Sequence, residues 1–299
     1  MRKRGIRLLF IFFVLCLLDL SASTQNVFSQ SQKSFLWRVQ SKTSTVYLLG
    51  SIHLFKKENY PLNAKIENAF DQSDVLAVEA NITDVGKVDV QKLMEIAFYP
   101  EDETLEKHVS RETYEFVIKE LGGLGIPPEL VNKQKPWFLA VTLEAFELLK
   151  LGYTPDSGID MYFLSKAKGK KRIIELESLD DQLNLLSRLS DQDQELFLLS
   201  TVKDLDRLSK EMDRLIMAWT SGETKSVESI LTKGVTEDRR LSSIYEKLVY
   251  ERNGGMASRI EDLLRTKEAY FVVVGAGHLV GDRGMIEILK RRGYLVEQL

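Results

Sequence analysis

Apolar residues fall into two kinds of run along this chain. Near both ends they form short, almost continuous stretches: Phe35-Leu36-Trp37-Arg38-Val39, Thr45-Val46-Tyr47-Leu48-Leu49, Asp74-Val75-Leu76-Ala77-Val78-Glu79, and Ala269-Tyr270-Phe271-Val272-Val273-Val274. Such runs, bounded by Gly, Ser and Asp, predict strands, and those without polar alternation predict strands covered on both faces, as in a parallel sheet. The polar Gln40 to Ser44 reads as the turn between the first two, and Pro61 opens a helix with Ile66, Ala69 and Phe70 on one face, closing near Ser73. From about residue 88 to 265 the spacing is helical, with one strand-like run at Lys170 to Glu177 and breaks at Gly122 to Pro128, Pro136, Gly222, Gly234 and Asn253-Gly254-Gly255. Heptad spacing is not sustained, which predicts packed helices rather than a coiled coil. The chain closes with a β-α-β pattern: the run at Ala269, a helix over Gly281 to Arg292, and a strand over Gly293 to Glu297. The architecture that buries these strands is α/β, a mixed sheet assembled from the N- and C-terminal strands with the helical middle packed over it as an insertion or cap.

The N terminus departs from this pattern. Eleven continuous apolar residues, Leu8 to Leu18, follow the basic Arg2, Lys3, Arg4 and Arg7 and precede the small Ser21, Ala22 and Ser23. That order predicts a secretory signal peptide over 1–23, since the run is well short of the ~20 residues that span a bilayer. Leu15 before Cys16, where a small residue belongs, argues against a lipoprotein site. Residues 24–34, rich in Ser and Gln, read as a flexible tether, and 35–299 as the working domain. The expectation is an exported protein, periplasmic or secreted, with no stable membrane span once the signal is cleaved.

Composition narrows the chemistry. Over 299 residues, 44% are hydrophobic, 28% are charged, and the net charge is -3 with mixed signs, which fits a globular protein and gives no basic footprint for nucleic acid. Three histidines and one cysteine exclude zinc-finger arrays and disulfide scaffolds, and the cysteine lies in the segment expected to be removed. Any metal site must use imidazole with carboxylate or water.

Two of the three histidines share a local motif, G-x-x-H, in Gly50-Ser51-Ile52-His53 and Gly275-Ala276-Gly277-His278, each after a predicted strand. A strand carries each motif to the carboxyl edge of the sheet, where α/β proteins bind ligands, and the glycine permits the tight turn. One such histidine would read as a hydrogen-bonded turn residue; two in the same setting point to a shared site. Glu79 ends a third strand and joins them as a candidate. The set His53, Glu79, His278 offers either a three-ligand divalent metal site or a metal-free acid/base constellation. His108 has no such context. A dinucleotide fingerprint at Gly275 to Gly281, with Glu297 as its acid, fails because the spacing is G-x-G-x-x-x-G and the chain runs out two residues past Glu297.

In order, YLLGSIHL, SDVLAVEA, KPW at Lys135 to Trp137, GID at Gly158 to Asp160, LES around Glu177, ERN at Glu251 to Asn253 and VVVGAGHLVG resemble the TraB/GumN family, which includes the Tiki-type Wnt proteases. The resemblance runs from about Phe35 to the C terminus. It implies an α/β fold related to erythromycin-esterase-like and ChaN-like proteins and, for the Tiki members, a metal-dependent peptidase supported by manganese or cobalt. It adds Arg252 and Asn253, which composition and spacing do not single out, and brings in Asp160 and Glu177 as second-tier site residues. The expected function is an exported metal-dependent hydrolase, a peptidase acting on a peptide or protein substrate. In it His53, Glu79 and His278 bind manganese, cobalt or zinc, Glu79 acts as ligand or general base, and Arg252 and Asn253 donate hydrogen bonds to a developing oxyanion. Two other readings use the same crevice: a non-catalytic protein that sequesters a peptide signal, as in pheromone-shutdown relatives, and a metal-independent esterase-like hydrolase. Oligomeric state has no sequence signal.

Overall fold

The computed structural model describes residues 33–83 and 89–299, so the expected signal peptide, nearly all of the tether and the first residue of the helical middle lie outside the described residues. Six strands form one sheet, β1 (Leu36–Gln40), β2 (Thr45–Ser51), β3 (Val75–Val78), β4 (Arg172–Glu175), β5 (Ala269–Gly275) and β6 (Leu295–Gln298), in the spatial order β4-β3-β5-β2-β1-β6. The sheet is mixed: β2, β3, β4 and β5 pair in parallel, while β1 is antiparallel to both β2 and β6. It is thus assembled from both ends of the chain, with the helical middle lending only β4. The last strand reaches the sheet by passing over β2 and β1, so the C-terminal β-α-β pattern joins strands that run the same way but are not neighbours.

The continuous apolar runs explain where each strand sits. β5 is central, between β3 and β2, and Tyr270 through Gly275 are all buried. β4, edge-most and less apolar, is half exposed. One face is covered by the helix Ala64–Asp71, whose N-cap Asn63 accepts a hydrogen bond from the Lys65 amide and whose Ile66, Ala69 and Phe70 are buried as their spacing predicts. There Phe70, Phe163 and Phe271 pack with ring centroids 4.7–5.5 Å apart.

The other elements of the middle include the helices Pro136–Lys150, Asp191–Asp204, Leu208–Thr220 and Thr224–Leu231, which form a cap. The cap is tied to the sheet at Trp219, whose indole N–H donates to the carbonyl of Gly50 at 2.6 Å. Three expected boundaries shift. Gly234 lies inside the short helix Lys233–Glu237. Asn253-Gly254-Gly255 does not break the chain; it lies within the helix Glu251–Leu264, entered through a π-helical turn at Glu246–Tyr250. The buried stripe Arg252, Asn253, Met256, Ala257, Ile260 and Leu264 holds that helix together through its two glycines. The last helix is shorter than expected, Met285–Arg291, because Gly281 turns the chain with φ +81° after a four-residue helix, Ala276–Leu279, that carries His278. Among the described residues no helix is long and apolar enough to cross a membrane.

Candidate active site

β2 and β5 run in parallel with Gly50 opposite Val274 and Ser51 opposite Gly275, so the two G-x-x-H motifs leave the sheet side by side at its carboxyl edge. β3 flanks β5 on the other side, and the Glu79 amide continues its ladder by donating to the Val273 carbonyl at 2.9 Å. The three candidates therefore meet around the end of β5. A methyl group built on Gly275 would stand 3.4 Å from His53 Nε2, 3.4 Å from His278 Cδ2 and 3.5 Å from Glu79 Oε2.

Each histidine is aimed by a partner on its other nitrogen. His53 Nδ1 lies 2.7 Å from Asp160 Oδ2, and Ser51 Oγ donates to Asp160 Oδ1 at 3.0 Å. Asp160 reaches this position because Gly158 lets its helix, Ile159–Ala167, press against the turn of the first motif: a Cβ on Gly158 would stand 2.0 Å from the carbonyl oxygen of His53. Burial alone would lower the His53 pKa, but the charge and hydrogen bond of Asp160, with a contribution from Glu79, overcome it and raise it to about 9. His278 Nδ1 lies 2.7 Å from Asn253 Oδ1, while Asn253 Nδ2 donates to the Arg283 carbonyl at 2.9 Å. With its amide nitrogen committed to a carbonyl, Asn253 presents an oxygen to the ring, so His278 carries its proton on Nδ1 and turns Nε2 toward the site.

Glu79 is buried and held from three directions. Oε1 accepts from Arg252 Nη2 and from Gln182 Nε2 (2.8 Å), and Oε2 accepts from the Gly275 amide at 2.9 Å. Burial would raise its pKa; the Arg252 guanidinium, with His278 and His53, instead holds it well below the usual carboxylate range. Arg252 also bonds Glu177 through Nε at 3.0 Å and donates from Nη1 to the Leu248 carbonyl at 2.8 Å. Arg252 thus donates to Glu79, Glu177 and Leu248, and Asn253, fully buried, joins His278 to the Arg283 carbonyl. Arg252 holds Glu79 and Asn253 holds His278. Glu177 fixes the guanidinium, and Asp160, rather than capping its helix, fixes His53. Gln182 escaped the sequence reading because nothing in its neighbourhood marks it; its contact depends on where the helix Leu179–Ser187 packs.

Among the described residues, no group of three or more His, Cys, Asp and Glu side chains stands close enough to hold a metal ion as arranged. In kind, the donors fit one. Both imidazoles have Nδ1 engaged by an acceptor, the arrangement that fixes metal-ligating histidines, and the gap at Gly275 keeps His53 Nε2 and Glu79 Oε2 on one small space. Asp160, Glu79 and Glu177 also outnumber Arg252 and a protonated His53, which leaves the site with excess negative charge. A cavity of about 70 Å³ opens beside the histidines, its lining including Tyr245, Leu248 and Val249. His108 stacks on Tyr99 with centroids 4.2 Å apart and bonds Glu103 at 3.0 Å, a structural setting.

The sequence model of the TraB/PrgY/gumN family matches residues 35–298. The chain is 28% identical over 245 residues to the uncharacterized protein YbaP of Escherichia coli (strain K12), an alignment covering 82% of this chain and 87% of YbaP. It is 25% identical over 323 residues to a metalloprotease TIKI homolog of Amphimedon queenslandica and 23% identical over 318 residues to metalloprotease TIKI1 of Xenopus tropicalis. Those two alignments cover 90% and 89% of this chain but 62% and 61% of the TIKI proteins, so the chain spans about three-fifths of their length. No solved structure matches significantly.

Proposed function

The chain belongs to the TraB/PrgY/gumN family, and from that premise we propose that it is an exported, periplasmic or secreted, metal-dependent hydrolase of peptide or protein substrates, acting where His53, Glu79 and His278 converge. The observation that carries this reading is the placing of two separately encoded G-x-x-H histidines and Glu79 around Gly275, each oriented from behind. The metalloprotease names of the TIKI relatives support peptide chemistry, and the basic, apolar and small-residue order of residues 2–23 supports export.

His53, Glu79 and His278 would hold the ion, manganese, cobalt or zinc, all compatible with nitrogen and oxygen donors. Bound there, the ion supplies Lewis-acid polarisation of a carbonyl and a water of lowered pKa. The protein's own side chains supply orientation and charge. Asp160 and Asn253 keep the Nδ1 protons in place, so that both Nε2 atoms face the cleft. Arg252, Gln182 and the Gly275 amide keep Glu79 anionic. With Oε1 already accepting from Arg252 and Gln182 and Oε2 from the Gly275 amide, Glu79 is better placed as a ligand and charge-balancing group than as a general base. Arg252 and Asn253 act as positioning residues.

Calorimetric titration of the purified protein with manganese, cobalt and zinc, paired with peptide cleavage assays, tests this. Stoichiometric uptake by the wild type, lost with cleavage in His53→Ala and His278→Ala, is expected. Wild-type-like uptake and activity in His53→Ala would sink the proposal, and an intact peptide retained after prolonged incubation with metal would favour a sequestering protein.

A further inference from the structure

We infer that the cavity beside the two histidines is a side-chain pocket that selects a short aliphatic residue flanking the scissile bond, an inference that rests on the hydrolase reading above. One end of the cavity is the site itself, lined by Ser51, His53, Gly275 and His278. Its walls come from the cap: Leu148 from the helix Pro136–Lys150, Met212 and Leu215 from Leu208–Thr220, Leu231 from Thr224–Leu231, and Leu248 from the π-helical turn. Elements distant in sequence converge there to present apolar surface toward the reacting edge of the sheet. A charged side chain placed against such walls loses its hydration. Size sets the other limit, because about 70 Å³ is roughly half of the ~150 Å³ engineered cavity that accepts benzene. The space therefore suits Val, Ile or Leu and excludes Trp. Leu231 is the residue best placed to set that limit. Its Cδ1 lies 3.4 Å from where a Cβ on Gly277 would be, so it rests directly on the turn that carries His278. Among the described residues Glu144 is the one lining carboxylate, and it gives the test a second arm, a basic residue in place of the aliphatic one.

The experiment is a peptide library varying the residues on either side of the cleaved bond, assayed with the full protein and manganese, cobalt or zinc. At one flanking position, Val, Ile and Leu are expected to give kcat/KM at least about 10- to 200-fold above Ala, Asp, Lys or Trp, the range that a single methylene is worth in an apolar pocket. Leu231→Phe should shift the preference toward Ala, and Leu231→Ala should shift it toward Phe. Cleavage with a flat profile, a preference for Lys or Arg, or Leu231 variants that keep the wild-type preference would overturn the inference while leaving the hydrolase reading intact. Failure to cleave any peptide would overturn both. If the Leu231 variants do not fold, the wild-type profile alone decides.

Discussion

Gly275 is the residue on which the site's geometry turns. It ends the central strand, donates its amide to Glu79, and leaves open the space that a methyl group would share with His53 Nε2, His278 Cδ2 and Glu79 Oε2. Its backbone does not lie in the left-handed region, and the contacts an added methyl would make, 3.4–3.5 Å, are close to ordinary van der Waals separation. Gly275→Ala is therefore expected to change stability by less than about 1 kcal/mol, while filling the space the three side chains face. Thermal unfolding and metal titration together check this: the midpoint should hold while divalent-ion affinity falls at least about tenfold. Away from the site, Asp204 gives a separate pH signature. Burial, opposed by Arg207 and reinforced by Glu237, raises its pKa to about 6. An acid whose folded pKa is raised contributes stability that is fully present below its unfolded pKa near 4 and is lost as pH rises through 6. Asp204→Asn should remove that slope. Relative to wild type it gains about 1–2 kcal/mol between pH 4 and 7 once solvent screening is allowed for, measurable by urea unfolding at the two pH values.

At the level of elements, the strands were legible because buried parallel strands advertise themselves as unbroken apolar runs, and the paired histidines were legible because one short motif recurs in one setting. Glu79 could be read from its place at a strand end. Arg252 and Asn253 entered only through family resemblance, and their pairing with Glu79, Glu177 and His278 had no sequence signal, because which partner a side chain meets depends on packing between elements far apart in sequence. The same cause hid Gln182. The segment Asn253-Gly254-Gly255 departs from its sequence signal for a different reason: glycine pairs usually end helices, yet here the buried stripe from Arg252 to Leu264 holds the helix together. Gly255 is consequently an exposed helical glycine with nothing within 4 Å of an added Cβ. Gly255→Ala should stabilise the protein by about 0.5–1 kcal/mol by restricting the unfolded chain, seen as a raised thermal midpoint with unchanged metal affinity.

For the molecule as a whole, the sheet ties the two ends of the chain together, and the order of its strands ranks their importance. Among the described residues β6 is an edge strand paired with β1 alone, through Trp37 to Gln40, and its Leu295 is 77% exposed. β5 is central, pairs with both β2 and β3, and carries one of the two histidine motifs at its end. The helical cap is anchored to this framework at Gly50 through Trp219, so the pocket walls depend on β2 being held in register with β5. Removing 295–299 should therefore leave a folded protein that still binds metal, destabilised by a few kcal/mol because β1 loses its outer partner. Removing 269–299 takes away the strand between β2 and β3, whose buried valines fill the middle of the sheet, and should abolish cooperative unfolding altogether. Circular dichroism melts of the two truncations distinguish these outcomes. A cooperative transition in the chain lacking 269–299 would mean that the first 268 residues make a core of their own, and that the C-terminal histidine is docked onto a finished domain rather than built into its centre.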